Sequence, residues 1–199
     1  MSAGFEVGQG TILNQERKVV DGIREEPWQS ATCIGDWHYN RGRFEDKSYV
    51  PAVEVIRILA DVVSKNGTLL LSIPVRGDGT LDAEEMAILE VLGRWMAREG
   101  EAAIYGSRPW RRFGEDGGGG VRFTTKGGRL FALLLDPKPG PLTLPALGLS
   151  AAEGARVARV ELVGGGPLEF VQTDAALKIT LSDLGSPVPV LAIGGDGLA

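Results

Sequence analysis

The stretch V-I-R-I-L-A-D-V-V-S-K-N-G-T-L-L-L-S-I-P, Val55 to Pro74, contains the change of period that decides the fold. Its first half belongs to a helix predicted over Pro51 to Lys65. Ala52, Ile56, Leu59 and Val63 recur at helical spacing, and Val55, Ile58 and Val62 widen the stripe. So broad an apolar face predicts cover on more than one side. Asn66-Gly67 has the composition of a C-terminal cap. Thr68 to Ile73 is then a short apolar run without alternation, which predicts a parallel strand buried on both faces. Pro74 stops it.

The same grammar extends outward. Downstream, Asp78-Gly79 signals a turn, and Asp82 with Glu85 three residues on predicts a helix start with a capping box. Met86, Leu89, Leu92, Trp95 and Met96 give that helix a buried face, and Gly100 closes it. Upstream, Thr32 to Trp37 reads as a strand and the loop after it, and residues 1–11 as a patternless lead-in. Strand, helix, strand, helix is the order of a parallel α/β unit.

Beyond Trp110 the pattern changes to period two. The runs V-R-F-T, R-L-F-A-L-L-L, V-A-R-V-E-L-V, L-E-F-V, L-K-I-T-L and V-P-V-L-A-I are separated by Gly and Pro turns. Leu177, Ile179 and Leu181 face one way, and Lys178 and Thr180 the other. This predicts an antiparallel β-sandwich. Gly117 to Gly120 precedes no helix signal and has no Lys-Ser/Thr after it, so it reads as a linker or turn and not as a phosphate cradle. The domain reading is a lead-in over 1–11, an α/β part over 12–112, a Gly-rich linker over 113–120 and a sandwich over 121–199.

Composition narrows the function classes. With 199 residues, 43% hydrophobic and 24% charged, the chain reads as globular. A net charge of −5 gives no footprint for a nucleic-acid partner. No apolar run approaches the ~20 residues that span a membrane. The N-terminus lacks the basic and apolar regions of a signal peptide. A single cysteine forms no internal disulfide and has no metal-ligand spacing.

The chemistry-bearing residues concentrate between Glu16 and Asn40. This stretch holds two of the four tryptophans and the only histidine and cysteine. Arg17, Trp28, Gln29, Asp36, Trp37, His38, Tyr39 and Asn40 can stack on a ring face or hydrogen-bond a hydroxyl. That combination suits a sugar, and it equally describes a core strand ending in a polar loop. Trp28 and Trp37 serve either as pocket walls or as core. Cys33 reads as a small buried residue. His38 has no neighbouring ligand, and Trp95 and Trp110 are assigned to packing, the latter near the junction of the two parts.

P-W-Q-S-A-T-C-I-G-D-W-H-Y-N, Pro27 to Asn40, resembles the W-[E/Q]-x-x-x-[CS]-I-x-x-x-W-x-Y motif of the retaining alpha-L-fucosidases, glycoside hydrolase family 29. Val55 to Pro74, D-G-T-L-D-A-E-E and G-E-A-A-I-Y-G-S-R-P-W resemble later segments of that family in the same order. More weakly, R-F-T-T-K-G-G-R-L-F-A and G-P-L-E-F-V-Q-T continue the likeness.

The resemblance implies the C-terminal portion of such an enzyme: the last strand–helix units of a (β/α)8 barrel, then a β-sandwich. A full barrel takes typically ~250 residues. The implied substrate is a fucosylated glycan or fucoside, with neither metal nor organic cofactor. The nucleophile-bearing part of the barrel would be a partner segment outside this chain. Arg17, twelve residues before Gln29, matches a substrate contact; its other reading is a salt bridge. Gln29 stands where many members carry a glutamate acid/base, and an amide has no proton to give. Glu16 is the first candidate for that role, with Glu25 and Glu26 next, and each reads equally as a solvated carboxylate. The competing reading is a non-catalytic sugar-binding or interaction module built from the same pieces.

Overall fold

A computed structural model describes residues 12–116, 120–182 and 184–199. The expected lead-in and the glycines at 117–119 lie outside the described residues. The α/β part begins with a parallel sheet of three strands, β1 (Leu13–Glu16), β2 (Trp28–Cys33) and β3 (Gly67–Ser72), in that order. Leu13 pairs with Trp28, and Trp28 with Gly67. Strand β2 therefore starts four residues before the expected Thr32, and Ile34 to Trp37 already belong to the loop.

After the short helix α1 (Arg41–Glu45), α2 runs from Ala52 to Ser64, within the predicted range. Its broad apolar face is covered twice, as predicted. Val55 packs with Ile34 and Tyr49 and with Leu69 and Leu71 of β3. Ile56 and Ala60 pack instead against the sandwich. Asn66 takes the left-handed position after the helix, at φ 69°, so Gly67 is free to open β3. There the missing side chain matters for a second reason. A Cβ on Gly67 would lie 2.5 Å from the Trp28 ring.

Strand β3 departs from expectation. Only its helix-facing side is covered, and Leu70 on the other side is 52% exposed. β3 is an edge strand of a three-stranded sheet, and its helices lie on one face. Helix α3 (Ala83–Trp95) starts with the predicted capping box between Asp82 and Glu85. Met86, expected inside, is 45% exposed, whereas Trp95 is buried and its indole N–H donates to Val188 O at 2.8 Å. Gly100 does not end the helical path. A π-turn (Met96–Gly100) leads into α4 (Glu101–Ala103), and the chain turns away only at Gly106, with φ 69°. Among the described residues no helix is long and apolar enough to cross a membrane.

The rest is the antiparallel β-sandwich that the alternation predicts. One sheet has the order β4 (Arg108–Glu115), β5 (Val121–Lys126), β6 (Arg129–Leu134), β11 (Val190–Asp196), β8 (Arg156–Leu162). The other has the order β7 (Gly140–Leu144), β10 (Leu177–Leu181), β9 (Phe170–Gln172). Leu177, Ile179 and Leu181 point into the core, and Lys178 and Thr180 out of it. Residues 113–115, expected in the linker, continue β4, because they pair with β5 across an irregularity between Pro109 and Gly114. Trp110 lies inside the sandwich core, edge-on to Phe123 at 5.1 Å, with its N–H on Leu198 O at 2.6 Å.

Candidate functional site

Strand register sorts the expected site residues before any side chain is considered. Neighbours along a strand point to opposite faces, and paired residues share a face. Asn14 pairs with Gln29, and Gln29 with Thr68; Glu16 pairs with Ala31, and Ala31 with Leu70; Cys33 pairs with Ser72. These residues line the face away from the helices. Trp28 falls on the opposite face. It is fully buried, and its indole N–H donates to Lys65 O at 2.9 Å at the end of α2. Trp28 is therefore core, and the expectation that it walls a pocket is corrected.

Glu16, Arg17 and Trp37 do come together. β1 and β2 are parallel, so Glu16 with Arg17 and the loop after Cys33 emerge at the same, carboxyl end of the sheet. Arg17 turns out of the strand in a left-handed conformation, φ 52°, while its N–H still donates to Ala31 O at 2.8 Å. Its guanidinium carbon lies 5.3 Å from the centre of the Trp37 ring, a cation–π contact. Arg17 Nη2 donates to Cys33 Sγ at 3.0 Å. Trp37 Nε1 donates to Glu16 Oε1 at 2.9 Å. The three side chains form an open corner of a ring face, a cation and a carboxylate, and Trp37 is 37% exposed.

Gln29 shares the open face but sits one strand repeat toward the amino end, where its Nε2 donates to Asn14 Oδ1 at 3.2 Å. Glu25 and Glu26 precede β2, at the opposite end of the sheet from Glu16, and both are exposed. His38 is exposed beside the corner.

Two partners of this corner were not singled out from sequence. Cys33 was read only as a buried residue, yet it contacts Arg17. Arg43 holds Asp36: Arg43 Nη2 donates to Oδ1 at 3.0 Å, and Asn40 Nδ2 to Oδ2 at 2.8 Å. The Arg43 bond first, then that from Asn40, holds the Asp36 carboxyl below its usual range, and the charge of Arg17 adds to this. The signal that could have found Arg43 is its place seven residues after Asp36, across the Asn40 side chain that caps α1 at Gly42 N.

Chemically, the corner can stack the apolar face of a sugar on Trp37, fork two oxygens with Arg17 and accept or give a proton at Glu16. It supplies one carboxylate where retaining glycoside transfer needs two.

The alpha-L-fucosidase family model matches residues 3–101. An alpha-L-fucosidase of Branchiostoma floridae is 30% identical over 125 residues, 61% of this chain and 27% of its own length. Human tissue alpha-L-fucosidase is 32% identical over 125 residues, again 61% of this chain and 26% of its own length. Among solved structures, an alpha-fucosidase of Thermotoga maritima in complex with a mechanism-based inhibitor superposes with a TM-score of 0.74 at 30% identity. That match covers 90% of this chain and 42% of the other. The chain thus spans about a quarter of the length of these curated relatives.

Proposed function

Because the chain belongs to the alpha-L-fucosidase family, we propose that it is the C-terminal portion of a retaining glycosidase that releases terminal alpha-L-fucose from glycans. In this reading the elements before β4 supply the last strand–helix units of a (β/α)8 barrel, and β4 to β11 form the accessory sandwich. The remaining strands, with the nucleophile, come from a segment outside this chain. The observation that carries the reading is the meeting of Glu16, Arg17 and Trp37 at the carboxyl end of a parallel sheet, the end at which barrel enzymes build their sites. The open face of β1, β2 and β3 adds support, since parallel sheets are ordinarily covered on both sides.

Arg17 holds the sugar, Trp37 walls it, and Glu16 is the acid/base; Gln29 gives no proton. The test joins this chain to the upstream part of a fucosidase barrel and measures turnover of alpha-L-fucosides. The chain alone should be inactive and the joined protein active. Losing a charged hydrogen bond typically costs about ten- to a hundred-fold, so Arg17→Ala should lose that much in kcat/KM. Glu16→Gln should lose about 10²–10⁴-fold on substrates with poor leaving groups and be largely spared in the first step on aryl fucosides. Gln29→Ala should lose less than that. A well-folded joined protein without turnover would favour the non-catalytic module instead. Carboxylate-dependent turnover by the 199-residue chain alone would overturn the need for a second segment.

A further inference from the structure

Arg17 is exposed and forms no ion pair among the described residues, yet its guanidinium is fixed at two points. One is the Trp37 ring. The other is Cys33, which ends β2 on the open face and is 4% exposed. The Cys33 thiol donates to Gly35 O at 2.9 Å, which turns the sulfur lone pairs away from that carbonyl, and Arg17 Nη2 donates to the sulfur at 3.0 Å. Of the nearby carboxylates, Asp36 is taken by Arg43 and Asn40, and Glu16 accepts from the Trp37 indole.

We infer that Cys33 is a positioning residue that holds the Arg17 guanidinium over Trp37 in its ligand-binding pose. The chemistry explains why a thiol suits this place. As the donor to Gly35 O it carries its proton and is a neutral acceptor. It therefore orients the guanidinium without cancelling its charge, as a carboxylate would. A guanidinium has five N–H donors, and one is spent here. The rest stay available to ligand oxygens, and the side chain's rotamer freedom is lost before the ligand arrives. What Arg17 holds rests on the fucosidase reading; that Cys33 holds Arg17 does not.

The test uses the isolated chain and the arginine side-chain N–H signals in ¹⁵N NMR spectra. In the wild type the Arg17 guanidinium should give a distinct, slowly exchanging signal. Cys33→Ala should broaden or lose it while the backbone amide spectrum keeps its pattern. Cys33→Ser, whose hydroxyl can make both bonds, should restore it at least in part. An Arg17 signal unchanged in Cys33→Ala would overturn the proposal, as would equal loss in both variants.

A second measurement works without altering Cys33. If Arg17 covers the sulfur, Arg17→Ala should speed alkylation of Cys33 about tenfold or more, and an unchanged rate would also overturn the proposal. Titration with L-fucose of the protein joined to the upstream part of a fucosidase barrel separates the two readings. If Arg17 is the sugar contact, its signal should shift, and Cys33→Ala should weaken binding about three- to ten-fold, the effect of one lost hydrogen bond. An Arg17 signal that depends on Cys33 but ignores L-fucose would keep the positioning role and count against the fucosidase reading.

Discussion

Glu85, in the first turn of α3, has no exposed surface, and its Oε1 has no hydrogen-bond partner among the described residues. Its Oε2 accepts from Asp82 N–H at 3.0 Å, and its own N–H donates to Asp82 Oδ1 at 2.9 Å. Tyr49 closes the group by donating its hydroxyl to Asp82 Oδ2 at 2.7 Å. Burial first, and then the charge of Asp82, raises the Glu85 carboxyl above its ordinary value near 4.5, although the Asp82 N–H, Arg76 and the Tyr49 hydroxyl pull the other way. Burial also raises Tyr49, and its bond to Asp82 adds to this. The consequence has a definite sign. A carboxyl raised in the fold contributes stability below about pH 4.5. That contribution is lost as pH climbs through the folded value, because the unfolded chain gives up its proton first. Glu85→Gln keeps an acceptor for the Asp82 N–H and cannot ionise. Its Tm relative to wild type should therefore improve from pH 4 to pH 8, and a difference constant across that range would reject the account. The capping box was legible from the Asp82–Glu85 spacing. That its carboxylate would be enclosed was not, since a capping glutamate is ordinarily wet and the Tyr49 that joins the group stands thirty-three residues before Asp82 in sequence.

At the scale of elements, α2 is the joint between the two parts, and one aspartate fastens it. Asp61 Oδ2 accepts from Lys65 Nζ at 3.0 Å, and Asp61 Oδ1 accepts from Arg122 Nε on β5. Both cations also sit over the Phe113 ring of β4, Lys65 at 4.7 Å and Arg122 at 5.4 Å. The side chains are only 8% (Lys65), 11% (Arg122) and 20% (Asp61) exposed. Asp61→Ala would leave the nearly buried Lys65 without its anion and Arg122 with the exposed Asp116 in place of its buried partner, a loss of about 3–5 kcal/mol. For a chain of this length that is a fall in Tm of roughly 6–20 °C, readable by calorimetry. A fall under about 2 °C would mean that water or Asp116, which also accepts from Arg122, replaces the lost contact. The helix itself was readable from its apolar period, and so was the need to cover it twice. The fastening was not. Asp61 and Lys65 stand four residues apart, but Arg122 lies sixty-one residues beyond Asp61, and no local pattern connects them.

For the whole molecule, burial runs in layers, from an enclosed sheet to an open one. β6 is covered on both sides: Leu130, Ala132 and Leu134 face the sandwich interior, and Phe131 and Leu133 face α2 and Trp95. β11 does the same with Leu191 and Ile193 inward and Val190 and Ala192 outward. The parallel sheet has one covered face and two strand edges, on β1 and β3, that pair with no further strand among the described residues. The sequence shows this division in part. The inference from an unbroken apolar run to a strand with little exposure would have served for R-L-F-A-L-L, which the sequence reading grouped with the period-two runs and which is covered on both faces. It fails for T-L-L-L-S-I because an apolar residue such as Leu70 records what a strand can be packed against, and nothing described here covers it. Protection of backbone amides should follow the layers, since exchange reports the local cost of opening. Hydrogen exchange on the isolated chain should be slowest in β6 and β11, and α2 should follow because both its faces are packed. β1 and β3 should exchange fastest among the regular elements, so that the residues before Trp110 exchange faster as a group than those after it. Protection of β3 equal to that of β6 would show that its open face and edge are covered in solution, and a concentration dependence of that protection would identify the cover as a second copy of the chain.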